Sequence, residues 1–300
     1  MTTVQQLAGH LISRSEYASF MYNDQRLQVY YTDSGALDTN APVVAMLHGS
    51  GPGSAGSSSF TVNRSSLLDA GFRVICIDFP GWGRSDPVVC TDDRSALNAT
   101  ALDAVLDAAR VESPVHLLGA SMGAHSAVAF ALMRPQRTAK LLLVAGGTGG
   151  RSSFHPHLPD GVRAMLDFYS APSAPNMQTF LRTVFHDPAV ATDDLVNATL
   201  KAALARPEHL SNFSTSLALQ PKQFGDVSAR LPDITSAVLV VWGSDDRFVP
   251  LDIGLQVAMR IPRADLYVMG RTGHVPHLER ADEFNRLAAQ FFSASASASQ

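Results

Sequence analysis

The sequence predicts an α/β fold, in which helices cover both sides of a mostly parallel, doubly wound sheet. Short apolar runs rich in Val, Leu and Ile alternate along the chain with longer stretches of helical spacing. Apolar runs of this length are typical of strands that are buried on both faces, and strand–helix alternation favours parallel pairing. Over 300 residues, 46% hydrophobic and 17% charged side chains are sufficient for a large buried core.

The individual elements follow from the apolar runs and the turn signals between them. Segment 17–31 predicts two short strands, with turns at Asn23-Asp24 and at Asp33-Ser34-Gly35. Helical spacing is clearest in 96–110 and 122–133. Six further runs predict buried strands, at 42–47, 72–77, 115–118, 141–145, 237–242 and 266–269.

The interval 147–220 interrupts this alternation. It has no strong strand signal, but it has helical stretches at 161–169, 176–185 and 193–205, separated by Pro and Gly clusters. We predict a helical lid inserted into an α/β core made of 1–146 and 221–300. The alternative is a helical elaboration with no role at the site.

Composition restricts the class of partner. With 23 Lys and Arg against 27 Asp and Glu, the formal net charge is −4, so no basic surplus favours nucleic acid or an anionic membrane. No apolar run reaches the roughly 18 residues of a membrane span, and the N-terminus lacks a secretory-signal pattern. Two cysteines, Cys76 and Cys90, are too few for a disulfide framework. We therefore expect a cytoplasmic protein with a small-molecule substrate and no nucleic-acid or membrane partner. The sequence does not decide whether the chain forms a homo-oligomer.

The run Gly119-Ala120-Ser121-Met122-Gly123 lies where a predicted strand meets a predicted helix. This is the pattern of a nucleophile elbow, in which a strained turn exposes the serine hydroxyl at the end of the sheet. The N–H of Met122, at the start of the helix, then points to the charge that develops beside the serine oxygen. Ser121 is the predicted nucleophile and Met122 one oxyanion donor.

A serine hydroxyl needs a base and an acid that orients the base. Strand 237–242 leads into Asp245 and Asp246, and strand 266–269 leads into His274. Because carboxyl ends of parallel strands share one edge, both loops should meet the nucleophile there. At this point either aspartate could be the acid. We expect His277, one helical turn further on, to cap or face solvent, and His125 to pack within the elbow helix.

The loop His48-Gly49-Ser50-Gly51-Pro52-Gly53 follows the strand at 42–47. Its glycines allow backbone N–H groups to turn inward, so we assign the second oxyanion donor to Ser50, with Gly51 as the alternative. A plain glycine-rich turn is the competing interpretation, and a phosphate loop would need a Gly-Lys-Ser/Thr ending. His155 and His157 have a spacing that could hold a metal, but no third ligand recurs nearby, so we expect no metal and no cofactor.

Four motifs together resemble the α/β-hydrolase superfamily, and within it the meta-cleavage product hydrolases of aromatic degradation. They are the loop at 48–53, the run at 78–86, the elbow and Asp246-Arg247-Phe248-Val249-Pro250. The segments 206–210 and 281–287 are similar too, and the likeness covers roughly 25–292. The resemblance implies an α/β-hydrolase fold for the core. It also implies that Asp246, directly before Arg-Phe-Val-Pro, is the acid, and that His274, after a glycine, is the base.

The chain departs from that family at positions that contact the substrate. The family carries Asn before the nucleophile, where this chain has Ala120, and Asn in the oxyanion-loop region, where it has Ser59. Its Arg-Trp pair in the lid aligns with Thr199-Leu200, and its Trp after the histidine aligns with Val275. In the family these groups hold an anionic 2-hydroxy-6-oxo-dienoate. Loss of a cation from a buried carboxylate site costs on the order of 2–5 kcal/mol of binding.

These departures favour a serine hydrolase that cleaves a medium-sized aromatic carboxylic ester, such as a phthalate monoester, through an acyl-enzyme. We expect substrate contacts at Gly51, Ser59, Ala120, Arg163 and Val275. For a monoester with a free carboxylate, the cation would come from the lid, with Arg151, His155, His157 and Arg163 as candidates. Two alternatives stay open: a carbon–carbon bond hydrolase of meta-cleavage products, and a non-catalytic binding protein on a hydrolase scaffold.

Overall fold

The computed structural model describes residues 12–35, 40–146, 152 and 157–294. Eight strands form one sheet in the order β1-β2-β4-β3-β5-β6-β7-β8. The strands are β1 Ile12–Tyr22, β2 Gln25–Gly35, β3 Val43–Leu47, β4 Arg73–Ile77, β5 Val115–Ala120, β6 Thr138–Val144, β7 Ala237–Gly243 and β8 Ala264–Met269. All pairs from β4 to β8 are parallel, which confirms the predicted fold class.

The first two strands form an antiparallel hairpin at one edge of the sheet, and β2 also pairs antiparallel with β4. The predicted turn lies at Asn23 and Asp24, which have positive φ values of 45° and 60°. The second predicted turn, at 33–35, is wrong, because β2 continues to Gly35. Asp33 stays within the strand because Arg73 of β4 donates to its carboxylate oxygens at 2.9 and 2.7 Å.

Strand β8 differs from the prediction of a run buried on both faces. Tyr267 and Val268 are 39% and 41% exposed, whereas every residue of β3 and β4 is buried. The reason is position: β8 is the last strand in the order of the sheet. An edge strand is covered less completely than a central one.

Eleven helices accompany the strands in the described part of the chain. They are α1 Gly56–Ser59, α2 Thr61–Asp69, α3 Arg94–Ala108, α4 Met122–Met133, α5 Asp160–Ser170, α6 Ala174–Val184, α7 Asp193–Leu204, α8 Pro207–Leu219, α9 Leu251–Arg260, α10 Pro276–Glu279 and α11 Ala281–Ser293. Among the described residues, no helix has the length and apolar character that crossing a bilayer requires.

Helices α5 to α8 lie between β6 and β7, within the stretch 147–220 that we call the helical insertion. The first three match the predicted helical stretches within a few residues. Helix α8, which begins at Pro207, contains most of the 206–210 motif but was not predicted as a helix. A lid role for the insertion stays a prediction. Arg151 and His155 lie outside the described residues.

Candidate active site

Ser121 occupies a strained turn between β5 and α4. Its φ and ψ are 52° and −117°, a conformation that non-glycine residues seldom adopt. The Ser121 N–H donates to the Val144 carbonyl of β6 at 2.8 Å, and its carbonyl accepts from Ala124 at 2.9 Å. The strain is therefore maintained by the sheet on one side and the helix on the other.

The two glycines of the elbow allow strand, loop and helix to approach one another. A Cβ atom on Gly119 would lie 2.3 Å from the carbonyl oxygen of Gly123. A Cβ atom on Gly123 would lie 1.9 Å from the carbonyl oxygen of Leu47 at the end of β3. Any side chain at either position would push these backbones apart and displace Ser121.

The structure joins His274 to Asp246 and not to Asp245. The His274 Nδ1 lies 2.9 Å from Asp246 Oδ2, and the other carboxylate oxygen accepts from the N–H groups of Phe248 at 2.7 Å and Val249 at 3.0 Å. The Asp246 side chain is fully buried. Its carboxylate keeps the proton on Nδ1 and leaves Nε2 free to accept one, as a general base requires.

The imidazole of His274 is held from two further directions. The Phe248 ring stacks on it with centroids 4.7 Å apart and an interplanar angle of 25°. Its backbone N–H donates to the carbonyl of Val184 in the helical insertion at 2.8 Å. The insertion thus takes part in positioning this histidine, a contact that no local sequence pattern signalled.

The loop after β3 passes directly beside the nucleophile. A Cβ atom on Gly49 would lie 3.2 Å from Ser121 Cβ. The carbonyl of Ser50 accepts from the buried Tyr169 hydroxyl at 2.8 Å, so the N–H of the same trans peptide unit, that of Gly51, points to the opposite side. Within the described residues, neither the Ser50 nor the Met122 N–H donates to a protein acceptor. Their assignment as the oxyanion donors stays a prediction.

His48 fixes the base of this loop. Its Nε2 accepts from the Phe79 N–H at 3.0 Å, so Nδ1 carries the proton and donates to the Gly49 carbonyl at 2.7 Å. Burial lowers the pKa of His48, which keeps the ring neutral and this pattern intact. The loops after β3 and β4 are therefore joined by one imidazole.

The remaining predicted contact residues are distributed unevenly. Ala120 is buried at the end of β5, and Gly51, Ser59 and Val275 are half-buried. Arg163 is exposed, because α5 turns Ala164 and Phe168 inward and leaves the guanidinium outside, and His157 is exposed as well. Both of these described candidates from the insertion are therefore at the surface.

The prediction for His277 was wrong. The ring is only 3% exposed and lies between Phe60 and Phe284, at centroid distances of 5.4 and 5.9 Å. Burial and the neighbouring His274 lower its pKa to about 3, and its Nδ1 has no hydrogen-bond partner among the described residues. His125 packs as expected, stacked on Phe224 at 4.7 Å, and burial lowers its pKa to about 4.

A separate cavity of about 340 Å³ opens beside Tyr169. It is lined by residues from segments 53–58 and 78–84, from the end of α7 and from the start of α8. The lining does not include Ser121, Asp246 or His274. Its charged lining residues include Arg84, Arg206 and the buried Asp78. In the described part of the chain, no group of three His, Cys, Asp or Glu side chains could hold a metal ion.

Comparison with known proteins gives consistent matches along the chain. A family model described as the alpha/beta hydrolase family matches residues 44–287. A 2-hydroxy-6-oxononadienedioate/2-hydroxy-6-oxononatrienedioate hydrolase of Paraburkholderia xenovorans is 45% identical over 279 residues, 93% of this chain and 95% of its own. The enzyme of the same name from Cupriavidus pinatubonensis is 46% identical over 277 residues, 92% and 94% of the two chains.

A solved structure extends this similarity to three dimensions. The meta-cleavage product hydrolase CumD from Pseudomonas fluorescens, in a mutant form complexed with acetates, superposes with a TM-score of 0.78 at 26% identity. The match covers 91% of this chain and 96% of that one.

These relatives overturn the expectation of an ester hydrolase. Proteins 45% and 46% identical over nearly the whole chain are named as hydrolases of 2-hydroxy-6-oxo dienedioates, which agrees with the carbon–carbon alternative. The departures at Ala120, Ser59, Thr199-Leu200 and Val275, on which that expectation rests, are outweighed by the identity over nearly the whole chain. The same relatives are enzymes, so the non-catalytic alternative is set aside.

Proposed function

The chain belongs to the alpha/beta hydrolase family, and on that premise we propose that it cleaves a carbon–carbon bond in a meta-cleavage product. The substrate class is a 2-hydroxy-6-oxo-dienoate that carries a second carboxylate at its far end. One observation carries this proposal: 45% identity to a hydrolase of such dienedioates, over 93% of this chain. The net charge of −4 is consistent with a small-molecule substrate and with no nucleic-acid partner.

The first step is attack of Ser121 Oγ on the C6 carbonyl of the keto tautomer of the substrate. His274 Nε2 takes the serine proton, and the buried Asp246 carboxylate, 2.9 Å from Nδ1, stabilises the imidazolium that forms. The negative charge on the former carbonyl oxygen is bound by the N–H groups of Ser50 and Met122.

The second step breaks the bond between C5 and C6. The electron pair is delocalised from C5 through the C3–C4 double bond to the C2 oxygen, and this oxygen takes the proton held by His274 and becomes the hydroxyl of the 2-hydroxydienoate. The acyl group stays on Ser121 as an ester until a water molecule, deprotonated by His274, releases it as a carboxylic acid. One water is consumed, and the products are a 2-hydroxydienoate and a dicarboxylic acid.

The test is a spectrophotometric assay of two substrates side by side. We expect the purified protein to bleach the yellow 2-hydroxy-6-oxo-nonadienedioate rapidly and to turn over a p-nitrophenyl ester slowly. Ser121→Ala should lower the bleaching rate by on the order of 10⁵-fold, because the nucleophile is lost. Ser65→Ala, an exposed serine of α2, is the matched control and should leave it unchanged. Folded protein that leaves the dienedioate yellow would refute the proposal.

A further inference from the structure

The two loops that carry Asp246 and His274 are both hydrogen-bonded to one short piece of the helical insertion. This piece is residues 184–186 at the end of α6, which we call the strap. The His274 N–H donates to the Val184 carbonyl at 2.8 Å. A Cβ atom on Gly273 would lie only 2.5 Å from the same carbonyl oxygen, so the histidine loop is packed against the strap without space between them.

The acid loop binds the strap through the two residues that flank Asp246. Asp245 Oδ2 lies 3.0 Å from His186 Nδ1. Arg247 Nη2 donates to the carbonyls of Phe185 at 3.1 Å and His186 at 3.3 Å. Asp246 turns inward to His274, while its neighbours on both sides turn to the strap. The two consecutive aspartates therefore have different partners.

Glu279 at the end of α10 completes the arrangement. One carboxylate oxygen accepts from the Gly273 N–H at 2.7 Å, and the other accepts from the His186 N–H at 2.7 Å. The side chain therefore connects the histidine loop to the strap directly. Burial raises the pKa of this carboxyl, whereas the two N–H donors act in the opposite direction.

We propose that Glu279 and the strap are positioning elements of the catalytic site, which hold the His274 loop in register with the Asp246 loop. The loops also meet directly, since the Asp245 N–H donates to the Thr272 carbonyl at 3.0 Å. That bond holds the loop only at Thr272, two residues before His274. Glu279 binds the next residue, Gly273, and Val184 binds His274 itself. The inference rests on the proposed triad. A displacement of about 1 Å at a catalytic group can cost on the order of 100-fold in rate.

The decisive variant is Glu279→Gln, which keeps the size of the side chain but leaves one acceptor oxygen for two N–H donors. We expect kcat to fall by about 10- to 100-fold with KM changed little, because the loss is in alignment rather than in substrate contacts. Glu283→Gln is the matched control. Glu283 contacts Arg280 and the Tyr267 hydroxyl, and none of its recorded contacts reaches the strap. It should leave kcat unchanged.

A second readout separates positioning from general support of the fold. The titratable groups facing His274 are Asp246 and His277, and the one facing Glu279 is His186. If Glu279→Gln moves His274 away from Asp246, the carboxylate stabilises the imidazolium less, and the lower pKa in the kcat/KM profile shifts to more acidic pH. A purely structural role would change the unfolding midpoint and leave this profile in place.

The rate of Ser121 labelling by a fluorophosphonate keeps this test independent of the substrate assignment. The labelling needs His274 as base but no dienoate, so Glu279→Gln should slow it by the same factor even if the proposed substrate is wrong. His186→Ala, which removes the bond to Asp245 and keeps the N–H bond to Glu279, should slow it only a few-fold, and it replaces Glu279→Gln if that variant fails to fold. Wild-type labelling rates and pH profiles in the variants that fold would overturn the proposal.

Discussion

Replacing Asp246 by Asn tests the central geometry most directly. The carboxylate accepts three hydrogen bonds: from His274 Nδ1 at 2.9 Å, from the Phe248 N–H at 2.7 Å and from the Val249 N–H at 3.0 Å. An amide oxygen can still accept from the two backbone donors. The amide NH₂ then faces Nδ1, which must give up its proton and act as acceptor. The proton moves to Nε2, where it prevents the imidazole from deprotonating Ser121.

The expected loss in kcat is about 10⁴-fold, the size of the effect when a catalytic histidine is held in the wrong tautomer. This corresponds to about 5 kcal/mol in the activation barrier. The free energy of unfolding should change by only about 1 kcal/mol, because both backbone N–H groups keep their acceptor. A large kinetic effect with a small stability effect is therefore the signature of this substitution.

Stopped-flow bleaching of the dienedioate measures the rate, and urea unfolding measures the stability. Asp265→Asn, at an exposed position of β8, is the matched control and should change neither. Asp245→Asn should lower kcat much less than Asp246→Asn, since Asp245 contacts His186 and not His274. A folded Asp246→Asn variant within about tenfold of the wild-type rate would contradict the assignment of the acid.

Three further predictions concern the elbow, the sheet and the buried histidines. Gly123→Ala should abolish activity and soluble expression, because its Cβ would lie 1.9 Å from a β3 carbonyl, whereas Gly270→Ala, with no atom within 4 Å of the new Cβ, should behave as wild type. Arg73→Leu should lower the free energy of unfolding in urea by about 3–5 kcal/mol, because the buried Asp33 carboxylate loses its main partner. The pKa of His277 is lowered to about 3 in the folded protein. Between about pH 6.5 and pH 3 this side chain therefore binds a proton in the unfolded chain but not in the folded one, and the free energy of unfolding falls as the pH drops through that range. His277→Phe should flatten that fall by about 1.4 kcal/mol per pH unit, as measured by urea unfolding between about pH 4 and 6.

Controls make each of these outcomes specific. Arg230→Leu removes an exposed ion pair with Asp233 and should change stability by less than about 1 kcal/mol, so an equal loss at Arg73 and Arg230 would contradict the argument from burial. For His277, an unchanged slope in the Phe variant would show that the ring is protonated in the folded protein. An active Gly123→Ala enzyme would mean that β3 and α4 can separate without disturbing Ser121.

Much of the fold and part of the site follow from local patterns. The apolar runs predicted β3 to β8, because a buried strand needs only a short apolar segment between turn residues, and the turn signal at Asn23-Asp24 predicted the separation of β1 from β2. The elbow could also be predicted from the sequence. The glycines on either side of Ser121 are required by close backbone contacts within the strand–turn–helix unit and with the adjacent β3. The strand ends before the two aspartates and before His274 predicted that these two loops meet, as Asp246 and His274 do.

Where the sequence interpretation failed, the missing information was tertiary. The exposure of β8 depends on its place at the edge of the sheet, and the burial of His277 depends on the packing of Phe60 and Phe284 around α10. The prediction of an ester hydrolase was wrong, because it rested on a few departures from the family pattern, whereas the chain as a whole is 45% identical to a dienedioate hydrolase.

The sequence by itself determined the α/β-hydrolase fold and the chemical types available at the edge of the sheet, because both are encoded within single strands, turns and helices. Only the tertiary structure decided that Asp245 faces His186, and that Glu279 joins the histidine loop to the strap. These hydrogen bonds connect residues up to 93 positions apart, such as His186 and Glu279. Their geometry depends on how the helical insertion packs on the core. Local periodicity in the sequence does not predict this packing.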